Sequence, residues 1–171
     1  MHVRKLTEAD AEDFWNIRLR ALRDTPEAFS SSYEESHTRP LASVVQRLRD
    51  ESTVGDNFIL GAFEEPLVGM VGFQRDQGVK ERHKSTIWGM YVIPKMRGRG
   101  IGKALLSQAI AYATRQVGLV QIHLAVVSTQ GAARHLYRSL GFEVYGLEPR
   151  ALKIGDQYFD EELMVLRLPT R

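Results

Sequence analysis

The chain has 171 residues, 43% of them hydrophobic and 26% charged, which fits one soluble globular domain over 1–171 with a sizeable core. Its formal net charge of +2 excludes polyanion binding by charge alone, so no nucleic-acid partner is expected. With no cysteine there is no disulfide, no thiolate metal site and no cysteine nucleophile, and no metal is expected.

His2, Arg4, Lys5, Glu8 and Asp10 interrupt any apolar run at the start. No signal peptide or membrane span is therefore expected, and the expectation is a cytoplasmic protein. Val3 to Leu6 predicts a first strand. Thr7-Glu8-Ala9-Asp10 reads as a capping box, followed by helical spacing of Ala11, Phe14, Ile17, Ala21 and Leu22. Asp24-Thr25-Pro26 ends that helix, and 26–39 reads as a loop with Phe29 and Tyr33 as its aromatics. Pro40 opens a second helix with Leu41, Val44, Val45 and Leu48 on its apolar face.

Apolar runs predict strands at 58–63, 67–74 and 86–93, with a charged turn at 78–84. A helix is expected over 104–117, burying Leu105, Leu106, Ala109, Ile110, Ala113 and Val117 and stopped by Gly118. Residues 120–127 alternate as a strand, with Ile122, Leu124 and Val126 on one face. Ala132 to Leu140 forms a short helix with Gly141 just past its end. Strands follow at 142–147 and 158–168. The order β-α-α-β-β-β-α-β-α-β-β implies one mixed α/β sheet with helices on both faces.

The segment Arg97-Gly98-Arg99-Gly100-Ile101-Gly102-Lys103 lies between a strand and a helix. A Gly-rich, basic turn there can present backbone N–H groups and cations to a phosphate. A Walker loop fits poorly, because Arg97 replaces its first glycine and Ala104 its hydroxyl. A dinucleotide fingerprint starting at Gly98 meets Lys103 where its last glycine should be. The third reading is Arg/Gln-x-x-Gly-x-Gly/Ala, met by Arg97, Gly100 and Gly102. It resembles the coenzyme A pyrophosphate loop of the GNAT superfamily, the acyl-CoA-dependent N-acetyltransferases.

A second segment, from Val127 to Phe142, is similar to that family's Asn-x-x-Ala-x-x-Leu-Tyr-x-x-x-Gly-Phe pattern. Ala133, Leu136, Tyr137, Gly141 and Phe142 match in register, and Gln130 stands where the family usually has Asn. The two motifs come in the family's order, with a helix and a strand between them.

The resemblance implies a mostly antiparallel sheet of about six to seven strands, and acetyl transfer from acetyl-CoA to an amine through a tetrahedral intermediate, without an acyl-enzyme. Arg97 to Lys103, with Gln130 and Ala133, would hold the cofactor. Backbone groups of Met90, Tyr91 and Val92 would pair with pantetheine, and one N–H could polarise the thioester. Tyr137 would assist the leaving thiolate. A phenol's ordinary pKa near ~10 exceeds a thiol's near ~8.5, which favours hydrogen-bond stabilisation with partial proton transfer.

Some family members carry a basic Glu where this chain has Thr86, leaving the base open among Glu81, His83, Glu34, Glu35 and a water relay. Phe29, Tyr33, Glu34, Trp88 and Tyr158 are substrate candidates. Asp160, Glu161 and Glu162 form either a solvated edge or a rim that attracts an amine, and His123 reads as a packed or surface residue. The loops 26–39 and 148–160 are expected to set the acceptor, a small-molecule or protein amine. A homodimer through the last two strands is an expectation of the same kind. The rival classes are a noncatalytic acyl-CoA-binding protein, suggested by Thr86, and a nucleotide-binding regulator.

Overall fold

The computed structural model of the chain describes residues 1–53 and 56–169. Seven strands form one sheet: β1 (His2–Lys5), β2 (Phe58–Phe63), β3 (Leu67–Arg75), β4 (Lys84–Val92), β5 (Gln121–Val127), β6 (Glu143–Ile154) and β7 (Gln157–Arg167). Their spatial order is β1-β2-β3-β4-β5-β7-β6. Every neighbouring pair is antiparallel except β4 with β5, which is parallel. Among the described residues, five α-helices accompany it: α1 (Ala11–Asp24), α2 (Tyr33–Ser36), α3 (Leu41–Thr53), α4 (Ile101–Ala113) and α5 (Gly131–Ser139).

β2 and the first seven residues of β3 are buried throughout, and accordingly read as near-continuous apolar runs. β5 is covered less evenly and alternates, with Ile122, Leu124 and Val126 in the core. Successive residues of β4 point to opposite faces. Tyr91 reaches Asp24 of α1, whereas a Cβ built at Gly102 of α4 would lie 4.0 Å from Val92 Cγ2. Helices α1 and α4 therefore flank the sheet from opposite sides.

Several boundaries differ from the sequence expectation. The capping box closes a short 3₁₀ turn, Glu8–Asp10, rather than α1 itself: the Asp10 carboxylate accepts from the Thr7 N–H at 2.8 Å and is clamped by Arg4 at 2.7 Å. The loop 26–39 contains a 3₁₀ turn, Pro26–Ala28, and α2. Helix α4 starts at Ile101 and ends at Ala113, so the turn 97–103 supplies its first residues. Val117, expected in the core, is 92% exposed because the chain has already left the helix. The supposed loop 148–160 is mostly the long β6–β7 hairpin, in which the Arg150 N–H donates to Asp160 Oδ1 at 2.7 Å. Among the described residues, no helix is long and apolar enough to cross a membrane.

Candidate active site

The site begins where the parallel pair fails. β4 and β5 pair at Lys84–Gln121, Ser85–Ile122 and Thr86–His123 and no further. Beyond that fork, residues 87–92 and 124–127 line the two walls of a cavity of about 380 Å³. β4 also bulges. Its pairing with β3 passes from Gly72–Trp88 to Met70–Tyr91, so β4 carries one extra residue there. Gly89 sits in the bulge at φ +64, a conformation that glycine adopts without strain.

One mouth of the cavity is the Gly-rich turn. Gly98 and Gly100 have φ of +75 and +78, and a Cβ at either would meet nothing within 4 Å. Backbone conformation rather than crowding demands glycine at these positions. Gly100 caps the start of α4, whose first N–H groups have no partner within the helix and add a positive dipole end. Arg97 Nε donates to the Val92 carbonyl at 3.0 Å, which leaves its terminal nitrogens available beside the turn. Arg97, Gly98, Gly100, Ile101, Gly102 and Lys103 all line the cavity. Ile101 lines the cavity although it also belongs to the buried core. Arg99 is turned away to Glu64 at 3.1 Å and does not line the cavity.

Helix α5 closes another wall. Its Tyr137 is 7% exposed, packs edge-on to Phe142 at 6.0 Å between ring centres, and lines the cavity. Burial pushes its phenol up to about 12. The Tyr137 hydroxyl has no hydrogen bond among the described residues. Gln130 and Ala133 also line the cavity, and Gln130 Nε2 donates to Glu27 Oε1 at 3.0 Å, tying α5 to the 26–28 turn.

The second mouth lies on the α1 side, where Thr25, Ala28, Phe29 and Trp88 contribute lining. The other substrate candidates lie elsewhere. Tyr33 stacks on His37 at 5.1 Å, Glu34 faces solvent on α2, and Tyr158 is exposed on the hairpin beneath Arg150 and Lys153. Among the base candidates, Glu81 pairs with Lys84 at 3.1 Å, Glu35 accepts from Ser32 Oγ at 2.9 Å, and His83 is exposed. None of these lines the cavity.

The acidic stretch of β7 divides into distinct roles. Glu162 is held by Arg134 of α5, whose Nε donates at 2.9 Å, and that contact lowers its carboxyl pKa. Asp160 serves the hairpin backbone. Glu161 has no ion pair or hydrogen bond among the described residues, and burial, then the neighbouring Glu148, raises its pKa. Glu161 does not itself line the cavity; it stands opposite Val127 in the β5–β7 register, on the same face as Ala125, and those two residues do. His123 contacts the Tyr145 hydroxyl through Nδ1 at 3.3 Å, and burial lowers its pKa. No group of His, Asp and Glu among the described residues is arranged to hold a metal.

Reading the sequence did not single out Ile87, Gly89, Met96, Ala125 or Thr25, all of which line the cavity. Gly89, a glycine inside a strand pattern, carried a signal for a bulge. Arg18 was also missed, although it lies four residues from both Phe14 and Leu22 on the buried stripe of α1.

A model of the acetyltransferase (GNAT) family matches residues 18–142. An uncharacterized N-acetyltransferase of Methanocaldococcus jannaschii is 29% identical over 143 residues, which cover 82% of this chain; the chain spans 60% of that relative's length. A GNAT-family acetyltransferase structure from Streptococcus pneumoniae superposes with a TM-score of 0.90 at 22% identity, covering 98% of this chain and 99% of that one. A GNAT-superfamily phosphinothricin acetyltransferase from Sinorhizobium meliloti, solved with acetyl-CoA, superposes with a TM-score of 0.79 at 23% identity, covering 98% and 88%. At these identities the two structures speak to the fold.

Proposed function

We propose that this chain, which belongs to the acetyltransferase (GNAT) family, transfers acetyl from acetyl-CoA directly to an amine. The observation that carries this reading is the fork: the parallel β4–β5 pair ends at Thr86–His123 and opens a cavity between two strands. Unpaired strand edges on its walls suit an extended, amide-bearing chain such as pantetheine, which can hydrogen-bond like an added strand. The Gly-rich mouth, with Arg97 and Lys103, suits a pyrophosphate.

Acetyl-CoA supplies an activated thioester. Backbone N–H groups at Met90 to Val92, beyond the bulge, would polarise its carbonyl as the amine attacks. Tyr137 keeps its proton at any working pH, since its phenol is pushed up to about 12. Full proton transfer to a thiolate with pKa near ~8.5 would be uphill, so Tyr137 acts chiefly as a hydrogen-bond donor to the leaving sulfur. The chain has no cysteine, which favours direct attack over a thioester-linked enzyme.

The attacking amine must shed a proton. Glu161 is the carboxylate best suited to take it, through water, since its neighbours Val127 and Ala125 line the cavity and it does not. It is unpaired, its raised pKa makes it a stronger base than an ordinary Glu, and it shares a sheet face with the cavity-lining Ala125. It would do what Thr86, an exposed hydroxyl, cannot. The noncatalytic reading rests on Thr86 alone and has no role for Glu161.

Calorimetry with acetyl-CoA, CoA, ATP and NAD, followed by thiol release with a panel of primary amines, tests the proposal. Selective binding of the two CoA species and amine-dependent thiol release are expected. Binding without release under every amine would favour the noncatalytic reading, and binding of ATP or NAD instead would sink both.

A further inference from the structure

Arg18 occupies an unusual position for a cation. Its guanidinium lies 4.9 Å from the ring centre of Phe29 and 5.8 Å from that of Trp88, two residues that line the cavity on its α1 side, though Arg18 itself is not a lining residue. Its Nη1 is shut off from solvent and has no hydrogen-bond partner. A Cβ built at Gly89 would stand 3.4 Å from that nitrogen, so the cation abuts the bulge of β4.

The charges around it make matters worse rather than better. Burial, then Arg47 and Arg39, lower its pKa to about 10, and no carboxylate offsets them. Arg47 lies 4.4 Å over Trp88 and is matched by Glu51 at 2.9 Å, whereas Arg39 lies 5.7 Å over Trp15. Desolvating a guanidinium with an unpaired N–H is costly, and placing like charges nearby adds to that cost. An anion that arrives with a ligand would relieve both. A planar guanidinium fixed between two rings is preorganised for a carboxylate, which it can hold through two parallel hydrogen bonds.

We propose that Arg18 is the carboxylate-binding residue of the acceptor site, and that the acceptor is a small amino acid. The inference rests on the acetyl-transfer reading above. Arg18 adjoins Gly89, immediately before the Met90–Val92 stretch assigned to the thioester. A carboxylate held at Arg18 and an amine at the thioester would then belong to one small molecule. Phe29 and Trp88 leave an apolar wall for the side chain.

The test is titration calorimetry with reaction products, which needs no turnover. N-acetyl-L-phenylalanine and N-acetyl-L-leucine are compared with their primary amides, which keep the size, lose the charge and resemble an acetylated peptide terminus. Each titration is run with and without CoA. The free acids should bind about 10- to 100-fold more tightly than the amides, as expected of a partly buried charge-assisted pair. Arg18→Met should abolish that preference and Arg18→Lys should restore part of it, with CoA affinity unchanged in both. Because Met removes an unpaired buried charge, Arg18→Met should melt no lower than wild type. Equal binding of acid and amide in either condition, or a preference that survives Arg18→Met, overturns the proposal. Failure of CoA itself to bind overturns the transfer reading instead.

Discussion

The Tyr91 hydroxyl donates to Asp24 Oδ2 across 2.6 Å, tying the cavity strand β4 to the last turn of α1. Burial, then the Asp24 carboxylate, pushes the phenol up to about 12, while the same bond lowers the Asp24 pKa. The side chain of Tyr91 thus anchors a residue whose backbone lines the cavity. Tyr91→Phe should cost about 1–2 kcal/mol in urea unfolding, a hydrogen bond to a partly exposed charge. The sign with pH is fixed. A folded pKa raised above the unfolded value of 10.0 means stability is complete below pH 10 and lost as pH rises towards 12. Wild type should show that loss and Tyr91→Phe should lack this contribution to it.

Gly100→Ala and Gly100→Asp separate strain from charge. Both place a Cβ at φ +78 in open space, so both should cost about 1 kcal/mol of stability. If the turn holds a pyrophosphate as proposed, the aspartate sets a like charge against it. Gly100→Asp should lose at least tenfold more acetyl-CoA affinity by calorimetry than Gly100→Ala. Equal affinities would remove the turn from the cofactor site.

Tyr137→Phe keeps the ring against Phe142 and deletes only a hydroxyl that has no partner among the described residues. Stability and the KM for acetyl-CoA should change little. Loss of the donor should lower kcat by about 10²-fold or more under conditions where chemistry is rate-limiting. Turnover at the wild-type rate would reassign the role to water or another side chain.

Glu161→Gln should reduce kcat/KM for the amine by about 10²- to 10⁴-fold and abolish the acid limb of its pH profile. Since Glu148 adds to the raised pKa of Glu161, Glu148→Gln should shift that limb to lower pH, not higher. An acid limb untouched by either change would rule Glu161 out as the base.

Arg75 tests the frame rather than the chemistry. Its buried guanidinium donates to the Arg82 carbonyl at 2.6 Å, the Val117 carbonyl at 2.8 Å and Asp56 at 2.5 Å. Arg75→Met would strand these acceptors and should destabilise by about 3 kcal/mol in chemical denaturation.

The parts of this molecule governed by local pattern were legible in the sequence. The capping Asp10, the alternation of β5, and Gly141 past the end of α5 each express a rule acting over a few residues. The glycine-rich turn at the start of α4 was legible too, because its backbone conformation is set by contiguous residues. Arg18 and Glu161 were not. Arg18 is 71 residues from Gly89, and its lack of a carboxylate partner emerges only once α1 lies against β4. Glu161 looked like one member of an acidic run; tertiary contacts then assigned Asp160 to the hairpin and Glu162 to Arg134, leaving it unpaired. The end of α4 was misplaced because Val117 continues the apolar spacing although the chain has already turned.

The short pairing between β4 and β5 has a mechanical meaning. Among the described residues, strand pairing joins β1–β4 to β5–β7 only along Lys84–Thr86 and Gln121–His123, so the sheet divides into two halves that meet at a short seam able to act as a hinge. A chain bound across the gap would brace them along the open length, like a strut in a folding frame. Amides of Met90 to Val92 that face the gap should exchange with solvent readily in the free protein and slow sharply when CoA is added. The β6–β7 hairpin, on the far side of the hinge, should then become harder to deform without touching the ligand at all.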